Sequence, residues 1–376
     1  MKRIYLFSLF LLSVLAGAVS CGGDGGSRTD DDTLRPLYET RHAQRFALLT
    51  DDRGPVLRVM NPWQGADSVA YDYRLVADTA VVLRPGEIRW PIRSAVCMSS
   101  THVAFLDAVG RADAVKGVSG LDFITNPAVH AAGAKEVGYD NNLDYETIVA
   151  LRPDVVFMYG LTGENAAAAK LRQLGVPVVY ISDYLENDPL GRAEWIVPFG
   201  LLAGRMEQAV ERFMHTENEY NTLGERVASQ VGKRPGVMLN APYKDVWYLP
   251  GDRSYMVRLL EDAGGDYLGK GKDTDVSRPV SAEKALLMMA EADFWLGPGM
   301  AQNMAQLKAD NRRFVDLPVV RRGDVYNNNA RTTPTGGSDF WESGAVRPDV
   351  VLADLVRILH PELLPDHELY YFRKLE

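Results

Sequence analysis

The chain has 376 residues, 46% of them hydrophobic, and a formal net charge of −9. At roughly 150 residues per domain this length points to two domains plus an added segment, and the apolar share excludes a largely disordered chain. Asp and Glu number 50 against 41 Lys and Arg, with no run of five basic residues, which argues against a nucleic-acid partner; Cys21 and Cys97 alone exclude a disulfide framework and a CxxC site.

Residues 1–20 read as a signal peptide. Lys2 and Arg3 precede an apolar stretch from Ile4 to Val19, broken by Ser8, Ser13 and Gly17. That is a secretory h-region, shorter than the ~20 apolar residues of a membrane span. The order Leu15-Ala16-Gly17-Ala18-Val19-Ser20-Cys21 resembles a bacterial lipobox. The resemblance implies that Cys21 carries the lipid anchor and becomes the mature N-terminus, held stably on a membrane by more than one chain. Residues 21–37 are Gly-, Ser- and Asp-rich and read as a tether; Asp30-Asp31-Asp32 resembles the acidic export signal of some surface lipoproteins. Loss of Lys2 and Arg3 takes the net charge from −9 to −11 and leaves Cys97 as the free thiol.

Residues 38–91 are β-rich: Phe46–Leu49 and Val56–Val59 flank the turn Asp51-Asp52-Arg53-Gly54-Pro55, a hairpin signal. From 92 to 188 strands alternate with helices, the mark of βαβ units: a buried strand over Ser94–Met98, a helix from Thr101 closed by Gly110, a strand over Asp154–Tyr159, a helix over Asn165–Leu174 and a strand over Val176–Ile181. Residues 189–231 read as one linking helix, capped by Asp188 with Pro189 in its first turn and kinked or delayed at Pro198. Its 30 to 40 helical residues would span roughly 45–60 Å, longer than a single lobe. Residues 232–346 form a second α/β lobe, and 347–376 a packed C-terminal helix. Two similarities, Asp154 with Asp293 and Pro177 with Pro318, fall at nearly one offset and suggest duplicated lobes.

No HExxH or GxSxG occurs, and Gly264–Lys270 fails as a P-loop because Gly271 stands where Ser or Thr is needed. None of the six histidines is spaced i,i+4, and no nucleophile–base pair is evident. The expectation is a protein without catalysis or resident cofactor. Aromatic residues instead cluster near strand ends and loops, as Tyr243, Trp247, Tyr248 and Tyr255, and as Phe340-Trp341 inside a loop of 14 residues from Arg331 to Gly344. Loops of that length are often functional, and aromatic rings suit a bulky, partly planar ligand.

From about Ile92 to Leu364 the chain resembles the substrate-binding lipoproteins of ABC importers for ferric siderophores, haem and cobalamin. The carrying residues are Ser99-Ser100-Thr101, Gly138-Tyr139-Asp140, Leu151–Gly160 (LRPDVVFMYG), Leu174–Ile181 (LGVPVVYI), Pro189-Leu190-Gly191-Arg192-Ala193-Glu194-Trp195, Asp262–Tyr267 (DAGGDY), Asp339–Gly344 (DFWESG) and His360-Pro361-Glu362. The resemblance implies two Rossmann-like α/β lobes joined by a single long helix, with ligand between them.

In such lobes ligands bind outside the carboxyl ends of the strands. That expectation puts Ser99, Ser100, Thr101, His102, Tyr159 and Tyr184 on one rim and Tyr243, Trp247, Tyr248, Arg331 and Trp341 on the other. Hydroxyls would orient the ligand and rings would cover it; Arg331 would pair with a carboxylate or phosphate, and His102 would be an axial ligand to haem iron or cobalt or a local hydrogen-bonding group. Relatives often dock permease arginines with a Glu on each lobe. Here Ala104 and Arg258 stand at those places, so Asp107 and Glu261, one turn on, are the substitutes. The expected partners are a ferric siderophore, haem or cobalamin-like ligand, an ABC importer permease and the membrane through the lipid anchor, for a monomer at the periplasmic face of the envelope or the cell surface. The rival readings are a bare divalent-metal-binding protein and a surface scavenger working without a permease.

Overall fold

The turn Asp51–Pro55 does close a hairpin. In the computed structural model Phe46–Asp51 pairs antiparallel with Gly54–Met60, and Asp51 holds the turn by accepting from the Arg53 N–H and from Arg74 at 2.7 Å. The structure describes residues 34–376 except Thr79, Asp140 and Lys272. The expected signal peptide, Cys21 and Asp30-Asp31-Asp32 lie outside the described residues.

The N-terminal extension is a five-stranded sheet in sequential order: Arg35–Tyr38, Phe46–Asp51, Gly54–Met60, Ala70–Val76 and Glu87–Arg89. Its first strand takes in Arg35–Leu37, which the sequence reading gave to the tether; pairing of Arg35 with Thr50 decides this. Three carboxylates fasten the extension to the linking segment and the turn just before it. Glu194, fully buried, accepts from the Tyr38 hydroxyl and the N–H groups of Arg41, His42 and Ala43 at 2.7–2.8 Å. Glu186 accepts from the N–H groups of Gln44 and Arg45 and from the Trp195 indole, and Glu217 takes the side chains of Arg41 and His42. A buried carboxylate persists only when donors surround it in this way.

Two parallel-rich sheets follow. The first lobe's order is Val178–Tyr180, Val155–Met158, Ala95–Cys97, Val115–Val118 and Lys135–Glu136. The second's is Asp266–Tyr267, Gly236–Leu239, Phe294–Leu296, Val325–Asn327 and the antiparallel Arg373–Lys374. The central strands Ala95–Cys97, Val155–Met158, Gly236–Leu239 and Phe294–Leu296 are unbroken apolar runs because both faces are covered. Read from its first strand outward, each lobe has the same neighbours, so Val155–Met158 matches Phe294–Leu296, as the Asp154/Asp293 similarity suggests. The second similarity fails. Val178–Tyr180 is a strand, whereas Pro318–Arg322 is a helix, and the true counterpart is Val325–Asn327. Leu-Pro-Val-Val is a local pattern that tertiary context resolves either way.

The single linking helix also needs correction. It is three segments, Pro189–Ala193, Ile196–Leu202 and Met206–Gln230. Pro198 sits unbroken inside the second, in its first turn, where the missing N–H costs little. The break falls at Gly204, left-handed at φ +70°, and at Arg205, which turns aside to donate to the carbonyls of Val109 and Gly110 at 2.9 Å. The last segment's 25 residues span about 37 Å. Within 347–376 only Pro348–Leu359 is helical. The tail beyond is gathered by Asp354, fully buried, which accepts from the N–H groups of Tyr370, Tyr371 and Phe372, and it ends as the sheet's edge strand.

Candidate functional site

At the first lobe's strand ends, most of the expected ligand contacts are committed to the lobe itself. Ser99 caps the helix Ser100–Ala108, accepting from the Thr101 N–H. Thr101 is buried and donates to Asp183, which also pairs with the buried Arg192 at 3.1 Å. The Tyr184 hydroxyl donates to the Gly160 carbonyl, and burial pushes its pKa up to about 12. Tyr159 is half-buried against the lobe's core. His102 lies among Phe157 and Phe199 with 0% exposure; the Phe157 backbone is its polar neighbour, at a geometry short of a hydrogen bond. Desolvation pushes its pKa down to about 4; it is a neutral core residue, sealed from the cleft by its burial. It lies on the inward face of its helix, which the sequence spacing did not reveal.

The second lobe's strand ends are open. Beyond Leu239, Leu296 and Asn327 lies a cavity of about 670 Å³, walled by Tyr243, Lys244, Tyr248, Met300, Asn328 and Trp341 among others. Tyr243 and Trp341 are 68% and 50% exposed. Two residues at its rim, Asn240 and Lys244, hold left-handed backbone at φ +65° and +57°, a conformation that costs energy outside glycine and clusters at binding sites. Asn240 is held there: its N–H donates to Leu296, its side chain to the Tyr248 carbonyl, and its own carbonyl accepts the Trp295 indole at 2.7 Å. Opposite, the loop Gly297–Ala301 is anchored by Asn327, whose amide donates to the carbonyls of Gly299 and Ala301. Trp247, expected at the rim, is fully buried against Trp295 and Phe314 and donates to the Leu239 carbonyl; it supports the cavity floor from below.

Residues 96–332 match the model of the periplasmic binding protein family, well over half of the chain. The protein belongs to the periplasmic binding protein family. It is therefore a substrate-binding protein and no enzyme. It is 27% identical over 300 residues to an uncharacterized lipoprotein of Methanocaldococcus jannaschii, covering 76% of this chain and 70% of that one. A periplasmic haem-binding protein from Pseudomonas aeruginosa superposes with a TM-score of 0.58 at 18% identity, covering 76% of this chain and 98% of its own. A periplasmic haem-binding protein from Roseiflexus, in its apo form, does so with a TM-score of 0.56 at 19% identity, covering 71% and 97%. These likenesses show the two-lobe fold.

In this binding protein the long loop Arg331–Gly344 is where the lobes meet. Its short helix, Asp339–Glu342, carries Trp341 toward the cavity and two buried carboxylates toward the first lobe. Glu342 accepts the Thr125 N–H at 2.7 Å, Asp339 accepts the Thr125 hydroxyl at 3.3 Å, and Ser100 donates to the Trp341 carbonyl at 3.3 Å. Arg331 pairs through Nε with Asp339 at 2.8 Å and lies over the Tyr370 ring, outside the cavity's lining. Lys244 is the cation at the cavity, with the Tyr243 ring beneath it. The sequence reading missed Thr125, Asp339, Glu342 and Lys244 as site residues. Gly336-Gly337 ahead of two acids was the one available sign of a close approach.

The docking substitutes differ in availability. Asp107 is exposed near the end of its helix, while Glu261 is engaged by Lys270 at 3.1 Å. Among the described residues no group of three or more His, Cys, Asp or Glu is placed to hold a metal ion.

Proposed function

We propose that this protein captures an iron complex, haem or a ferric siderophore, or a corrinoid between its lobes and delivers it to an ABC importer, held at the envelope by a lipid on Cys21. The observation that carries this reading is the cavity at the second lobe's strand ends, walled by Tyr243, Tyr248 and Trp341. Its volume falls within the ~300–1,000 Å³ range of small-molecule pockets, and flat rings contribute contact area to a planar ligand at low entropic cost. Among the described residues the bare-metal reading lacks a donor set. Titration of the purified chain with haemin, ferric siderophores and cobalamins, followed by tryptophan fluorescence, tests the proposal: Trp341 should be quenched by one class, and no quenching by any of them overturns it.

Capture without a permease is favoured by one observation, Ala104 and Arg258 at the places where relatives carry a docking Glu, with the substitute Glu261 shared in a surface ion pair with Lys270. Protease accessibility on intact cells separates the two readings: a scavenger is cleaved there, whereas a periplasmic protein is shielded.

A further inference from the structure

The polar contacts from the loop Arg331–Gly344 to the first lobe fall at Ser100, which donates to the Trp341 carbonyl, and on the short segment around Asp122–Asn126. Thr335 donates to the Asp122 carbonyl at 2.5 Å. A Cβ on Gly337 would stand 2.1 Å from the Phe123 carbonyl oxygen, so the two backbones touch where only glycine fits. Next along the chain, Thr125 gives its N–H to Glu342 and its hydroxyl to Asp339, and the Asn126 N–H also faces Glu342. The receiving segment is itself fixed, because His130 bonds to the Ile124 carbonyl at 2.8 Å and Asn126 caps the following helix. Glu342 and Asp339 are 2% and 5% exposed; Glu342 depends on this contact for its solvation, while Asp339 divides its oxygens between Thr125 and Arg331.

We propose that Asp339 and Glu342 form a carboxylate latch on Thr125 that fixes the spacing of the two lobes and the position of Trp341, and through these how tightly the cleft holds its ligand. The first two parts stand on the contacts above; the third rests on the function proposed above. The latch replaces bending of the linking segment as the place where capture and release are set. Trp341 lies between the two acids in sequence, so their bonds fix the backbone that carries its ring.

The latch also has a direction in pH. Glu342 faces Asp339 from its own turn and Thr125 and Asn126 from the first lobe; Asp339 faces Arg331, which lies over Tyr370. Burial first, and then the Asp339 charge, raise Glu342 from 4.5 to about 7. A glutamate released to solvent returns to its ordinary value, so latching takes up a proton between these limits. The latch is therefore tighter at low pH and slackens as pH rises through about 7.

Hydrogen exchange of the full chain in detergent reads the latch directly, because the Thr125 amide is one of its bonds. Glu342→Ala and Gly337→Ala, one removing the acceptor and one forcing the backbones apart, should each raise exchange in a peptide spanning 121–129 at least tenfold while leaving Met206–Gln230 unchanged. Glu342→Gln keeps an acceptor without a charge. It should hold protection and lose the wild type's decline between pH 6 and pH 8, after correction for intrinsic rates. Unchanged exchange in both alanine variants overturns the latch. With haemin as the probe, Glu342→Ala should change the Kd at least threefold; an unchanged Kd beside raised exchange overturns the link to affinity. Absence of haemin binding by the wild type counts against haem as the cargo, and the exchange results still decide the latch.

Discussion

At the first lobe's strand ends Ser99, Thr101 and Tyr184 bond inward, to their own lobe, and His102 is sealed among phenylalanines. At the second lobe's, Tyr243, Tyr248 and Trp341 stand around an open cavity. Four strands of each sheet follow one order and the sheets differ only in an edge strand, so topology does not cause the difference. It comes from what lies behind each rim. In the first lobe Asp183, just past the strand Val178–Tyr180, and Arg192 of the linking segment form a buried pair that draws the polar groups inward. In the second, Trp295 and Trp247 fill the space beneath the rim with rings bonded to backbone carbonyls, and the outer aromatics are left without a core to join. Strand-end position thus locates a cleft, while the neighbouring layer decides which wall is available to a ligand.

The largest effect should come from the closed side. Asp183→Ala strands the buried Arg192, and loss of one partner of a buried pair costs about 3–5 kcal/mol, read by urea unfolding. Ligand affinity of the folded fraction should not move; a large loss of binding there would make the first rim a ligand wall after all. On the open side, Trp341→Ala should weaken haemin binding by at least tenfold, about 1.4 kcal/mol, with little change in unfolding midpoint. A lost midpoint with unchanged binding would reverse the assignment of the two walls.

A smaller, pH-dependent effect belongs to the weld behind the first lobe. Desolvation by burial lifts Glu186 from 4.5 to about 7. The folded state therefore binds more protons than the unfolded one between these values, and this group's contribution falls as pH rises through about 7. Glu186→Gln should gain on the wild type in unfolding free energy as pH goes from about 5 to 8; a constant difference would sink this account. The smallest effect should be Lys244→Gln. It should cost anionic haemin a few-fold in affinity, fading at high salt as exposed charge interactions do, and leave stability unchanged.

Much of the fold was legible. Continuous apolar runs such as Val155–Met158 and Phe294–Leu296 have few alternatives to buried parallel strands, and the hairpin at Asp51–Pro55 is local chemistry. Leu317-Pro318-Val319-Val320 misled because a short apolar run is shared by strands and helices. The site was legible as a region and not residue by residue. Trp247 and Tyr248 are adjacent, and strand alternation alone sends one into the core and the other to the cavity. Arg331 and Lys244 are both cations near strand ends, and only the fold puts Asp339 beside the first. Glu194 has Arg192 two residues before it, which pairs with Asp183 instead; its own donors lie some 150 residues away, at Arg41, His42 and Ala43.

By itself, then, the sequence determined the two α/β lobes, the β-rich extension, the unusual length of the loop Arg331–Gly344 and the aromatic character of the second rim, because each follows from periodicity, turn chemistry or composition within a few tens of residues. The tertiary structure alone decided which lobe offers the open wall, where the linking segment breaks, and that the loop's acids join the lobes. Those outcomes depend on contacts between residues far apart in the chain, such as Thr125 with Glu342, and burial and pairing of a polar group are set by what is brought against it, not by its own identity.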